Sequence, residues 1–228
     1  KVFLADGDAL AMETEDLLEV ISALSVSFPS LTQVATYTSP VSILEKSMDD
    51  LVLLREAGIA ISYMGVETGD RALLEEIRKG VTYEEMVEAG LKIKRAGMVL
   101  SVTVILGLAG RNPRAVDHAR NTAKILNEIN PDYISALTLM LRPGTEIRRR
   151  QQRGEFELPG PFEILNELRL IIQELEVQGT ELRSNHASNY LPIRGSLPKD
   201  KQQLVDLIDA IITSGDQRYL RPDYLREQ

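Results

Sequence analysis

Apolar positions along the chain fall into short runs, each followed by a polar or glycine-rich turn and then by an apolar stripe of helical spacing. The runs predict strands at Val2 to Ala5, Gln33 to Tyr37, Ile59 to Val66, Val99 to Leu106 and Tyr133 to Leu141. Most are nearly continuous rather than alternating, as expected where helices cover both faces of a sheet or where a barrel closes. Helices are predicted between them. Glu15 to Val26 puts Leu17, Leu18, Ile21 and Leu24 on one stripe, Ile43 to Ala57 follows Pro40, and Tyr83 to Ala96 stops before Gly97. Asp70 is placed to cap a helix starting near Arg71, and Gly80 sits where a left-handed cap belongs. Asn112-Pro113 opens a helix to about Ile129.

Strands alternating with helices at this spacing argue βα units and a parallel sheet. Right-handed crossovers then bring every strand's carboxyl end to one side, where ligands bind in barrels and open sheets alike. Beyond Pro159 the rhythm changes. Glu163 to Gln178 reads as a long helix with Leu165, Leu168, Ile171, Ile172 and Leu175 inward. Thr180 to Arg183 reads as a short strand, Leu191 to Pro198 as a loop, Asp200 to Ile212 as a last helix and Arg218 to Gln228 as a mobile tail. The division expected is a partial βα barrel over 1–158 and a helical, irregular extension over 159–228 that closes it.

Composition narrows the chemistry. The 228 residues are 43% hydrophobic, enough for one sizeable core, and carry a formal net charge of -8. That acidity argues against nucleic-acid partners. The basic run Arg148, Arg149, Arg150 and Arg153 reads as a solvated helix face. There is no cysteine, so disulfides, thiolate-held metals and cysteine nucleophiles are excluded within this chain. Two histidines, His118 and His186, are too few for a histidine-rich metal site, and His118 is expected to be exposed on a polar helix. Met64, Met98 and Met140 are expected in the core. No run reaches the ~18 apolar residues of a membrane span. The start, Lys1-Val2-Phe3-Leu4-Ala5, reads as the middle of a strand, so the chain is expected to be cut at its amino end.

Four turns carry candidate chemistry: Asp6-Gly7-Asp8, Gly65-Val66-Glu67-Thr68-Gly69-Asp70, Ile105-Leu106-Gly107-Leu108-Ala109-Gly110 and Arg142-Pro143-Gly144-Thr145. A carboxylate at a strand end can accept hydrogen bonds from ribose hydroxyls, and a second can pair with an ammonium group. Asp8 and Glu67 would thus hold opposite ends of an amino-acid nucleoside, with Gly107 and Gly110 leaving space for a flat base. Glycine and aspartate are also ordinary turn and cap residues, which is the plainer reading of each turn alone.

Taken in order, these turns resemble the radical S-adenosylmethionine (radical SAM) superfamily over about Val2 to Arg150. The resemblance implies a partial parallel (β/α)6 TIM-like barrel lacking its first βα unit, the unit whose C-x3-C-x2-C loop holds a 4Fe–4S cluster. Asp6-Gly7-Asp8 is similar to the family's Gly-Gly-Glu turn, which receives the methionine amino group, with both outer residues changed. Gly65 to Gly69 resembles the Gly-Val-Glu-Thr/Ser-Gly turn whose acid faces the ribose. Thr103 to Gly110 resembles G-x-I-x-G-x-x-G, keeping Ile105, Gly107 and Gly110 for adenine and replacing the first glycine with Thr103. Pro143-Gly144-Thr145 resembles the turn whose backbone meets adenine, and Lys79-Gly80-Val81-Thr82 a segment that follows the ribose acid. Arg183 to Pro192 is similar to the ending of one Fe–S oxidoreductase-like subgroup. There its Asn, Ser and His side chains would either meet substrate, with His186 as a general base, or satisfy the backbone of an irregular segment.

The resemblance implies a cytoplasmic oxidoreductase using S-adenosylmethionine and a 4Fe–4S cluster held by sequence outside this chain. Its product would be a 5′-deoxyadenosyl radical acting on an unidentified small molecule. This chain alone would be inactive, and its uncovered first strand could pair in a dimer. Two other readings stand beside it: a barrel that binds an adenosine-type ligand without chemistry, and a conventional barrel enzyme using acid–base groups. No catalytic residue and no metal ligand is assigned within the chain.

Overall fold

The structure, a computed structural model, describes residues 1–5 and 7–226. The predicted turn residue Asp6 lies outside the described residues. One seven-stranded sheet runs in sequence order: β1 (Val2–Leu4), β2 (Val34–Thr38), β3 (Ile59–Glu67), β4 (Val99–Leu106), β5 (Tyr133–Thr138), β6 (Thr180–Ser184) and β7 (Ile193–Leu197). β1 to β6 are parallel, and β7 returns antiparallel to β6. The helices between them are α1 (Thr14–Ser27), α2 (Pro40–Glu45), α3 (Met48–Ala57), α4 (Arg71–Glu76), α5 (Tyr83–Arg95), α6 (Arg114–Ile129), α7 (Glu146–Gln152), α8 (Pro161–Glu174) and α9 (Lys201–Ser214).

The predicted mixed α/β fold with a parallel sheet holds, but the sheet stays open, with β1 and β7 as its edges. Alternate strand residues enter the core beneath the helices: Met64 and Val66 in β3, Val102 and Val104 in β4, Ile134 and Ala136 in β5, and Leu182 in β6. Their neighbours Tyr63, Thr103, Ile105, Ser135 and Leu137 stay partly accessible on the opposite face. The strands read as continuous apolar runs because this second face also carries aromatic and aliphatic side chains.

Several boundaries differ from expectation for identifiable reasons. The helix expected over Ile43 to Ala57 is two helices. Ser39 accepts from the Ser42 amide to open α2 with Pro40 at its first turn, and Ser47 forms a second capping box with Asp50 to open α3. β5 ends at Thr138, three residues early. Leu191 to Pro198 is not a loop throughout: Ile193–Leu197 pairs with β6, with Gly195 tolerated in an edge strand and Pro192 and Pro198 flanking it. The C-terminal tail, up to Arg226, is held down. Arg221 donates its amide to the Tyr190 carbonyl at 2.7 Å, and Arg226 is buried, donating to the Ser188 carbonyl at 2.7 Å while stacking 3.5 Å over the Tyr190 ring. The basic run behaves as predicted: Arg149 and Arg153 pair with Glu146, and Arg150 with Glu76.

Candidate functional site

Parallel pairing puts the turns after β1, β3 and β4 on one rim of the sheet, so Asp8, Glu67 and Gly107 share that rim as expected. Glu67 ends β3 at a register shift, with φ of 63°. That left-handed conformation is uncommon for a residue with a side chain and marks a position the surroundings enforce. Lys79, after α4, donates to Glu67 Oε1 at 3.0 Å. Gly65 is what makes the arrangement possible, because a β-carbon there would sit 2.2 Å from Glu67 Oε1 and 3.0 Å from Lys79 Nζ. The Gly-x-Glu spacing therefore has a steric cause.

Glu67 and Ile105 line one cavity of about 330 Å³ with Leu137, Thr138, Met140, His186 and Ser188. Met140 is thus at a cavity wall and not in the core, unlike Met64 and Met98. Ser188 donates its amide to His186 Nδ1 at 3.1 Å, so the neutral ring carries its proton on Nε2. Asn189 is spent on structure: its Oδ1 accepts the Thr138 amide at 2.8 Å and its Nδ2 donates to the Ala136 carbonyl at 2.7 Å. The segment divides accordingly, with Asn189 satisfying the end of β5 while His186 and Ser188 reach the cavity.

Asp8, Gly7, Gly107 and Gly110 do not line this cavity. Asp8 stands two strand spacings from Glu67, roughly 10 Å. Its Oδ1 accepts from the Ser39 amide at 3.0 Å and the Ser42 hydroxyl at 2.8 Å, which ties the β1 turn to the start of α2. Gly107 and Gly110 are buried behind the rim at positive φ. The space a side chain would take is filled by Ile164 Cδ1 (2.7 Å) and Phe156 Cε2 (2.9 Å). Their β-carbon faces make room for protein packing, so any adenine contact would use their backbone.

A buried network behind the rim escaped sequence reading. His118 is 1% exposed rather than solvated. Its Nδ1 lies 2.9 Å from the Thr68 hydroxyl, and its Nε2 lies 3.2 Å from Glu167 Oε1 and 3.3 Å from the Ile105 carbonyl. Nε2 faces two acceptors, Glu167 Oε1 and the Ile105 carbonyl, so the imidazole donates from Nε2, and Nδ1 accepts from the Thr68 hydroxyl. Glu167 Oε1 also accepts the Gly107 amide at 2.8 Å. The order hydroxyl, imidazole, carboxylate resembles a nucleophilic triad, but Thr68 is fully buried and reaches no substrate. The network instead ties the Glu67 turn to the Gly107 turn. A signal existed: His118, Thr122, Ile125 and Ile129 follow one helical stripe, and Glu167 interrupts another between Ile164 and Ile171. Polar groups on apolar stripes are informative because burial demands a partner.

Among the described residues no group of three or more His, Asp or Glu side chains could hold a metal ion.

A mostly parallel, unclosed α/β sheet with an acid-bearing rim and a cavity beside it is the architecture of a partial βα barrel. The Radical SAM superfamily model matches residues 1–123, more than half of the chain, and the chain belongs to that superfamily. Heme chaperone HemW of Bacillus subtilis is 24% identical over 182 residues, covering 78% of this chain and 46% of that protein. A probable threonylcarbamoyladenosine tRNA methylthiotransferase of Methanocaldococcus jannaschii is 26% identical over 109 residues, covering 47% and 25%. The chain therefore spans less than half the length of these relatives. Among solved structures, the archaeal Methanocaldococcus infernus Elp3 shares the fold with a TM-score of 0.63 at 16% identity, covering 93% of this chain and 54% of that one. Coproporphyrinogen III oxidase (HemN) from Escherichia coli, a radical SAM enzyme, does so at 0.58 and 18%, covering 73% and 38%.

Proposed function

We propose that this chain is the S-adenosylmethionine-binding part of a radical SAM enzyme, with oxidoreductase chemistry on a small-molecule substrate in the cytoplasm. The observation that carries the reading is the pairing of Glu67 with Ile105 in one rim cavity, Glu67 being held at positive φ, cleared by Gly65 and oriented by Lys79.

These residues fit an adenosyl group. Lys79 occupies Glu67 Oε1, leaving the second carboxylate oxygen to accept from ribose hydroxyls. Ile105 offers an apolar surface for the base, and Gly107 and Gly110, buried behind the rim, would contact it only through their backbone. Gly7 and Asp8 would receive the methionine end, Asp8 through Oδ2, which has no partner among the described residues. When bound, S-adenosylmethionine supplies a sulfonium whose one-electron cleavage releases a 5′-deoxyadenosyl radical. A 4Fe–4S cluster does not fit these residues, since no cysteine can ligate it. No step here is assigned to such a cluster, and its thiolates would come from sequence outside this chain.

Two measurements test the reading. Equilibrium dialysis with labelled S-adenosylmethionine is expected to show weak, saturable binding that Lys79→Met reduces. Reconstitution with iron, sulfide and reductant is expected to give no cluster absorbance and no 5′-deoxyadenosine. Absence of cofactor binding, or cluster-dependent product from this cysteine-free chain, would contradict it.

A further inference from the structure

The bare face of the sheet carries a second groove away from the rim. It encloses about 370 Å³, and its lining includes Phe3, Ile61, Tyr63 and Tyr133 together with the cations Lys1 and Arg183. It shares no lining residue with the cavity of Glu67 and Ile105. Tyr63 precedes Glu67 by four strand residues, about 13 Å toward the amino ends of the strands.

Two features of this groove are unusual together. Phe3, Tyr37 and Tyr63 form an aromatic cluster with centroids 4.7 to 6.3 Å apart, yet Phe3 is 39% and Tyr37 46% exposed. Rings collected on a face without helices offer stacking and edge contacts that nothing in the chain uses fully. Beside them, Arg183 lies 4.1 Å over the Tyr133 ring, and its antiparallel partner across β6 and β7 is Arg194. Like charges directly opposite each other destabilise a strand pair. Neither arginine has an ion-pair partner among the described residues, and no carboxylate lines the groove. Glu181, two residues before Arg183 on the same face, is hydrogen-bonded by the Ser196 hydroxyl instead.

We propose that this groove binds a planar aromatic anion, its ring seated among Phe3, Tyr63 and Tyr133 and its oxyanion held by the guanidinium of Arg183, with Arg194 adding positive charge. An uncharged aromatic leaves the two arginines facing each other without a counter-charge. A small inorganic anion leaves the rings uncovered, and a cation is repelled by both. A carboxylate or a phosphate matches the planar guanidinium fork. The volume lies within the range of small-molecule pockets and fits a compact ring system with one acidic substituent. Because the groove is separate from the rim cavity, this inference does not rest on the cofactor reading.

Isothermal titration calorimetry with 2-naphthoate and its uncharged counterpart 2-naphthamide tests it, using the chain and the exposed-site variants Arg183→Gln and Arg194→Gln. The groove predicts saturable naphthoate binding, weakened roughly tenfold by Arg183→Gln, as loss of one charge-assisted hydrogen bond implies. Arg194→Gln should weaken it less, and naphthamide should bind weakly and equally to all three proteins. Equal affinity for naphthoate and naphthamide, naphthoate binding unchanged in Arg183→Gln, or no naphthoate binding by a chain whose circular dichroism shows it folded would each overturn the assignment.

Discussion

Gly65 exists to admit the carboxylate of Glu67: a β-carbon at Gly65 would lie 2.2 Å from Glu67 Oε1. The obstructing atom is the end of a flexible side chain, so Gly65→Ala should move Glu67 and spare the fold. Gly69 differs, because its β-carbon would lie 2.1 Å from the backbone carbonyl oxygen of Asn121 in α6. Gly69→Ala must therefore push α6 from β3. Urea unfolding is expected to show about 1 kcal/mol or less lost in Gly65→Ala and about 2 kcal/mol or more in Gly69→Ala. Equal losses would contradict this division of roles.

The buried His118–Glu167 contact predicts strong coupling. His118→Leu leaves the Glu167 carboxylate without one of its donors in the interior, which should cost about 3 kcal/mol. Glu167→Leu alone should cost a similar amount by orphaning the Gly107 amide and the imidazole. The double variant His118→Leu/Glu167→Leu should cost clearly less than the two losses added, since no unpaired buried charge remains. Additive losses in denaturant titrations would show that the pair does not act as a unit.

Acid sensitivity is predicted at the Arg71–Glu84 pair. The hydrogen bonds from Arg71, 2.5 Å to each oxygen, hold the Glu84 carboxyl down at about 2. A depressed carboxyl contributes stability that is fully present above its ordinary value of 4.5 and is lost as pH falls toward 2. Both side chains are mostly exposed, so the contribution is modest and salt-sensitive. Carboxyl-carbon NMR should place the Glu84 midpoint well below 4, and Arg71→Gln should return it to the ordinary range. A midpoint near 4.5 in the unaltered chain would contradict the pairing.

β1 pairs only with β2, leaving its other edge open among the described residues. An uncovered parallel edge invites association. Sedimentation velocity should show concentration-dependent dimers that Phe3→Lys, a charge on that strand, reduces. A monomer at all concentrations would remove this proposal.

Most of the architecture was legible because it depends on local patterning. Five strands, their parallel order and the rim turns follow from apolar runs separated by glycine and acid, and Asp70 caps α4 as its position implies. The split of α2 from α3 was also local, written in Ser39-Pro40 and Ser47-x-x-Asp50, but the long apolar stripe masked it. What stayed hidden depends on residues distant in sequence. His118 meets Thr68 across fifty positions and Glu167 across forty-nine, so the apolar stripes around His118 and Glu167 signal burial but do not say which partners meet. β7 was missed for a similar reason, since its pairing with β6 outweighs the proline and glycine around it. At the rim, Glu67 and Ile105 were found as an adjacent pair, whereas the space expected beside Gly107 and Gly110 is filled by Ile164 and Phe156 from beyond residue 155.

The central claim is that Glu67 holds the ribose of an adenosyl ligand, and a thermodynamic cycle tests it most directly. Affinities of 5′-deoxyadenosine and 2′,3′,5′-trideoxyadenosine would be measured on the chain and on Glu67→Gln by calorimetry. If the carboxylate accepts from the ribose hydroxyls, removing them should weaken binding about tenfold or more in the unaltered chain and far less in Glu67→Gln. An equal loss in both proteins, or no loss in either, would contradict the account.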